Sequence, residues 1–145
     1  MQALLQRVTS ASVAVEGTRV AAIGAGLLVF VGVFPQDTRE IAEKLANRTL
    51  DLRIFADDSK PMNRSVVDVC GEVLVVSQFT LAADTRRGRR PSFDSAAPPD
   101  QARVLYEVFV DRVRERLGNV ATGRFGADMQ VALINDGPVT FLLSD

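Results

Sequence analysis

Apolar positions recur with a strand-like period through the first third of the chain and with a helix-like period in two later stretches. Val13 and Val15 alternate with the smaller Ser12 and Ala14, Glu16-Gly17 offers a tight turn, and residues 19–23 return as a second strand. Gly24 and Gly26 interrupt it. Residues 27–33 then form a near-continuous apolar run ended by Pro35, the pattern of a strand buried on both faces or covered by a helix.

Asp37 is predicted to open a helix, with Glu40 three residues on in capping-box spacing and Ile41, Leu45 and Leu50 along one face. Residues 52–55 read as a short strand, 57–61 as a loop, and 73–81 as a central strand. The polar stretch 84–99, punctuated by Gly88, Pro91, Pro98 and Pro99, is a loop of a length usually kept for function. A second helix is predicted over 100–117, with Val104, Leu105, Val108, Phe109, Val113 and Leu117 on one face and Gly118 as its stop. Residues 129–134 and 139–143 read as two strands around a Gly137-Pro138 loop. No repeat or boundary divides the chain. The pattern predicts a single α+β domain over 1–145, with a mostly antiparallel, barrel-like sheet system and two main helices packed on it.

At 145 residues and 47% hydrophobic content, the chain is large enough for one proper core. It has no His, one Cys and no Trp. Ser-His-Asp and Cys-His nucleophilic arrangements are therefore excluded, within one subunit or between identical ones. A His-ligated zinc site and a thiolate cluster are excluded too, so neither a metal nor another cofactor is expected. Cys70, beside Gly71, is expected to be inert packing. The net charge of −1 means that a nucleic-acid partner would have to be held by a local basic patch. No apolar run approaches the roughly 20 residues of a membrane span. Residues 1–7 do not resemble a signal peptide, and with no Cys pair the cytoplasm is the expected compartment.

Two short blocks carry the chemistry. Ser77-Gln78-Phe79-Thr80-Leu81 and Asn135-Asp136-Gly137-Pro138-Val139-Thr140 each follow an apolar run, so each mounts polar groups at a strand end. The Gly-Pro pair reads either as an ordinary hairpin turn or as a rigid device, since an X-Pro amide tolerates the cis form at about 0.5–1 kcal/mol. Thr80 is a nucleophile only if a base activates it, and no His is available. Gln78 can donate or accept a hydrogen bond without exchanging protons. Phe79 suits the core or the face of a base. Arg86, Arg87, Arg89 and Arg90 form either a solvated loop or a phosphate contact. Arg7 is a strand-edge charge or a partner for carbonyls of the Gly-Pro loop. Phe125, between Gly123-Arg124 and Gly126, is a packed turn residue or a ligand contact.

Together with Arg7-Val8, Ala11-Ser12-Val13, Met62-Asn63, Gly88-Arg89-Arg90-Pro91-Ser92-Phe93 and the segment from Gly123 to Met129, the two blocks resemble the D-aminoacyl-tRNA deacylase family over essentially the whole chain. The resemblance implies hydrolysis of the ester of D-aminoacyl-tRNA, and of mischarged glycyl-tRNA, without a metal. It also implies a homodimer whose Gly-cis-Pro motif enters the pocket of the other subunit. A related group with a trans Gly-Pro bond edits L-alanyl-tRNA; Phe79 and Val139-Thr140 fit the D-specific group better. In this reading Gln78 and Thr80 act mainly through their backbone. Gly137 and Pro138 bind the α-amino group through carbonyls, supported by Ser77, Phe79, Arg7 and Asn135, and Met62, Asn63 and Phe125 complete the pocket. The four arginines would contact tRNA. The competing classes are an RNA-binding module without turnover and a carboxylate hydrolase using Asp84 or Asp128 as base.

Overall fold

The computed structural model describes residues 1–86 and 88–145; Arg87 lies outside the described residues. In chain order the elements are β1 (Gln2–Val15), β2 (Thr18–Ile23), β3 (Gly26–Gly32), α1 (Arg39–Asp51), β4 (Glu72–Ser77), a 3-10 turn (Phe79–Ala82), α2 (Pro99–Leu117), β5 (Ala121–Thr122) and β6 (Gln130–Ser144).

β1 is the spine. Its period-two pattern buries Ala3, Leu5, Val8, Ala11, Val13 and Val15. Along one edge its first half pairs antiparallel with β3 and its second half with β2, through a turn in which Glu16 and Gly17 both take positive φ. Its other edge pairs antiparallel with β6 over nearly the whole length. β4 runs parallel to β3, and β5 parallel to β4, so the sheet is mixed. The parallel pair needs a crossover, and α1 lies in it.

Both helices pack on one face of the sheet, over a core that includes Leu5, Val29, Val31, Leu45, Leu50, Val75, Phe109 and Val113. A second cluster on the opposite face contains Val8, Val13, Leu28, Leu74 and Val76. The apolar run in β3 is thus buried on both sides, as its composition predicts. Gly26 permits the close β3–β4 approach, because a Cβ there would fall 1.8 Å from the Glu72 carbonyl oxygen.

Several expectations are corrected. Asp37 does not cap α1; Thr38 does, its hydroxyl accepting from Ile41 N at 3.3 Å. The Asp37 carboxylate is buried and taken up by the amino group of Met1 and by Phe34 N. A buried charge needs all its partners, and none is left over for the helix. Residues 52–55 form no strand beyond a single bridge between Phe55 and Arg64. The strand predicted over 73–81 stops at Ser77, where the chain folds into the 3-10 turn. Residues 129–134 and 139–143 do not pair with each other; they lie end to end in β6 along the same partner. Cys70 is exposed, in a turn at φ 51°, rather than packed. Among the described residues no helix is long and apolar enough to cross a membrane.

Candidate active site

β3 and β4 run parallel and finish side by side, with Val31 paired to Ser77. Gln78 N extends this pairing by donating to Val31 O at 2.8 Å, and the chain then turns. Gly32 makes the turn possible: a Cβ there would sit 2.8 Å from Leu81 Cβ and 3.2 Å from the Gln78 carbonyl oxygen. The turn is closed by Leu81 N to Gln78 O at 3.2 Å and Ala83 N to Thr80 O at 3.1 Å. The N–H groups that open a helical turn have no acceptor inside it, which leaves those of Phe79 and Thr80 for other use. Gln78 Nε2 donates to Thr80 Oγ1. In that bond the Thr80 hydroxyl only accepts, so Gln78 brings no base to its proton.

A cavity of about 640 Å³ opens beside this strand end. Ser77, Gln78 and Phe79 line one side, Phe93 and Pro98 another, and Phe125 and Met129 a third. Phe79, 56% exposed, leans on Phe93 with ring centroids 5.0 Å apart. Phe125 packs against Tyr106, whose hydroxyl donates to Val75 O at 2.9 Å beneath the pocket. Burial pushes the Tyr106 phenol well above its ordinary value, so it is a fixed donor. Asp94 and Asp128 also line the cavity. Met62 and Asn63 do not line it. Met62 is exposed, and Asn63 is held in the 57–64 loop by Asp57 and Arg53.

The Gly-Pro block is built as a bulge in β6. Thr140 pairs with Gln6 and Asn135 with Val8, so residues 136–139 stand opposite Arg7 alone. The Gly137–Pro138 bond is cis. Arg7 Nε donates to Asp136 O at 3.0 Å and lies 3.1 Å from its carboxylate, while its guanidinium also donates to Ile54 O. A charge on a half-buried strand residue is thereby paired and hydrogen-bonded. Asn135 closes the bulge from below: Nδ2 donates to Val139 O and Arg7 O at 3.0 and 3.3 Å, and Oδ1 accepts from Val139 N at 3.0 Å. No residue from Asn135 to Val139 lines the cavity of its own chain. The two blocks are therefore separate within one subunit.

The basic loop is pinched at its base. Asp84 and Ser92 exchange two backbone hydrogen bonds at 2.8 and 2.9 Å. Arg86 folds back on Asp84 with bonds of 2.9 and 2.6 Å, which hold the Asp84 carboxyl well below the usual carboxylate range. So committed, Asp84 is a poor general base at neutral pH. Arg89 and Arg90 are exposed; Arg87 is not described. Sequence reasoning had no signal for Gly32, or for Arg103, whose guanidinium lies 5.0 Å over the Phe125 ring. Among the described residues no group of three or more His, Cys, Asp or Glu is placed to hold a metal ion.

The sequence profile described as D-Tyr-tRNA(Tyr) deacylase matches residues 4–144. Over 143 residues the chain is 59% identical to the D-aminoacyl-tRNA deacylase of Pseudomonas aeruginosa (strain LESB58), covering 99% of both. It is 58% identical to that of Escherichia coli O1:K1 / APEC, again over 99% of both. A solved structure described as c-Myc DNA unwinding element binding protein superposes with a TM-score of 0.94 at 42% identity, covering 100% of this chain and 99% of that one. A second, described as a probable eukaryotic D-amino acid tRNA deacylase, has a TM-score of 0.85 at 20% identity, covers 98% and 97%, and bears on the fold alone. With the match running from before Arg7 to beyond Pro138, and so taking in the pocket and the bulge together, the chain belongs to the D-Tyr-tRNA(Tyr) deacylase family.

Proposed function

We propose that this protein hydrolyses the ester joining a D-amino acid to the terminal adenosine of tRNA, releasing the free amino acid and tRNA, and that it treats glycyl-tRNA the same way. Family membership supports an ester hydrolase acting on such a substrate. The structural observation that carries the reading is the pocket itself. It sets the Ser77–Phe79 strand end against aromatic walls suited to a nucleoside, in a chain with no His. Such a substrate is met in the cytoplasm.

The chemistry asks little of side chains. An aminoacyl ester is already activated and has a ribose hydroxyl beside it. A water oxygen adds to the carbonyl carbon, the bond to the ribose oxygen breaks, and that oxygen leaves with a proton. The protein's part is to hold the ester still and to stabilise the oxyanion. Gln78 N is already committed to Val31 O, so the amides of Phe79 and Thr80 take this role. Ser77 and Gln78 position the ribose, and Phe79, Phe93 and Phe125 hold the adenine, a kind of contact worth about 1–3 kcal/mol per base.

The reading continues to a homodimer in which the Gly137–Pro138 bulge of one subunit enters the pocket of the other. Its support is that the bulge stands apart from its own pocket, on a β6 edge that also exposes Ile134 and Leu142. There the carbonyls of Gly137 and Pro138 accept from the α-amino group and leave no room for an L side chain, while glycine passes.

The test is deacylation of matched D- and L-tyrosyl-tRNA and of glycyl-tRNA by the purified protein. The D and glycyl substrates should be cleaved and the L substrate spared by orders of magnitude. Equal rates on D- and L-tyrosyl-tRNA would overturn the chiral reading.

A further inference from the structure

We infer that Arg103 is a phosphate-binding residue at the mouth of the pocket, taking a backbone phosphate of the RNA strand whose 3′ end enters it. The inference rests on the proposed tRNA substrate and adds a contact at the rim of that site. Arg103 lies in the first two turns of α2, next to Ala102, which lines the cavity. Its guanidinium carbon sits 5.0 Å over the centroid of Phe125, another lining residue. A cation stacked on a ring face is fixed in place, yet its in-plane N–H donors still point outward, the geometry that suits phosphate oxygens.

The rest of α2 shows why this arginine is distinct. Arg112 pairs with Glu115, Arg114 with Asp111 and Arg116 with Asp51. Arg103 has no such carboxylate partner among the described residues and is exposed. Inside the cavity the charged lining is acidic, Asp94 and Asp128, which disfavours a phosphate there. A nucleoside within and its phosphate at the rim satisfy both charges. Arg89 and Arg90 lie on the loop that leads to Phe93 on another wall. The strand would thus pass between two cationic supports.

The experiment is kcat/KM for D-tyrosyl-tRNA across a salt series, with Arg103→Ala, Arg103→Lys and, as control, Arg19→Ala on exposed β2. Ala is the best helix former, so the exposed α2 position tolerates the change. Arg103→Ala should lower kcat/KM several-fold at low salt through KM. It should also flatten the slope of log(kcat/KM) against log salt by about 0.7, the share of one single-strand phosphate contact. Arg103→Lys should restore most of the slope, and Arg19→Ala should match wild type. A wild-type slope in Arg103→Ala, or equal flattening in Arg19→Ala, overturns the inference. Absence of D-tyrosyl-tRNA hydrolysis in the wild type would instead overturn the proposed function.

Discussion

Asn135 and Val139 hold each other as two strand residues would, although they are four apart in one strand. The Asn135 side-chain amide bonds both the N–H and the C=O of Val139, each at 3.0 Å, and so closes Asp136, Gly137 and Pro138 into a ring. Arg7 grips the same ring from β1 through Asp136 O. The loop proposed to read chirality is thus clamped on two sides by groups from its own chain.

Asn135→Asp separates the donor half of this clamp from its shape. A carboxylate still accepts from Val139 N but turns a negative charge on the carbonyls of Arg7 and Val139. Leaving such half-buried groups without a donor costs about 1–3 kcal/mol. At about 2–4 °C per kcal/mol for a chain of this size, the melting temperature should fall by several degrees. D-tyrosyl-tRNA turnover should fall by about tenfold or more, since misplacing a positioned group by 1 Å can cost far more. Wild-type turnover and D/L ratio in this variant would remove Asn135 from the clamp.

Gly137→Ala attacks the ring from inside. The added Cβ would lie 2.0 Å from Val139 N and 3.0 Å from Asn135 Oδ1, so the backbone must move before any substrate is considered. The expected result is a loss on the order of 10²-fold in kcat/KM for D-tyrosyl-tRNA. Circular dichroism should change little, because Gly137 and Pro138 lie outside both core clusters and only Val139 of the bulge reaches the core. Near-normal single-turnover rates would show that the bulge geometry does not matter to the reaction.

What the sequence conveys and what it hides divide along a physical line. Elements whose signal is local were legible: the β1–β2 turn at Glu16-Gly17, the doubly buried β3, and α2 with its Gly118 stop in the left-handed region. Features decided by distant partners were not. Asp37 resembles a helix cap until the amino group of Met1, 36 residues away, takes its carboxylate. Residues 129–143 resemble a hairpin because Asp136-Gly137 signals a turn, but β1 offers an edge long enough to hold both halves in line. Gly32 looks like any strand-end glycine until Leu81 packs over it. In the candidate site, both blocks and Arg7 stood out in the sequence, whereas Arg103 reads as one more surface charge until Phe125 is seen beneath it.

Thr80→Ala should leave the single-turnover rate within a few-fold of wild type, because the proposed work is done by main-chain N–H groups and the hydroxyl is bonded to Gln78. For the same reason the pH profile of kcat should show no bend near about 6.5, the titration range of a histidine base, which this chain lacks. Loss of turnover in Thr80→Ala with intact folding and tRNA binding would make the hydroxyl the nucleophile. An inflection at about 6.5 would point to a protein group outside this scheme, whereas one at about 7.7–8 belongs to the substrate's own α-amino group.

The basic loop should act on affinity alone, and its arginines should act unequally. Arg86 is neutralised by Asp84, whose carboxyl is held well below its ordinary value. A carboxyl with a depressed folded pKa keeps its pairing above the unfolded value of about 3.9 and loses it only as pH falls through the lower folded one. The Asp84–Arg86 pair is therefore intact throughout the neutral range. Removing both partners together, Asp84→Ala with Arg86→Ala, should leave the salt dependence of tRNA binding near wild type. Arg89→Ala with Arg90→Ala should instead weaken binding and flatten the slope by up to about 1.4, two single-strand contacts. Neither pair should move the D/L ratio, since the loop flanks the pocket while the Gly137–Pro138 bulge lies elsewhere in the chain. An unchanged slope in the Arg89/Arg90 variant would reduce the loop to a solvated surface.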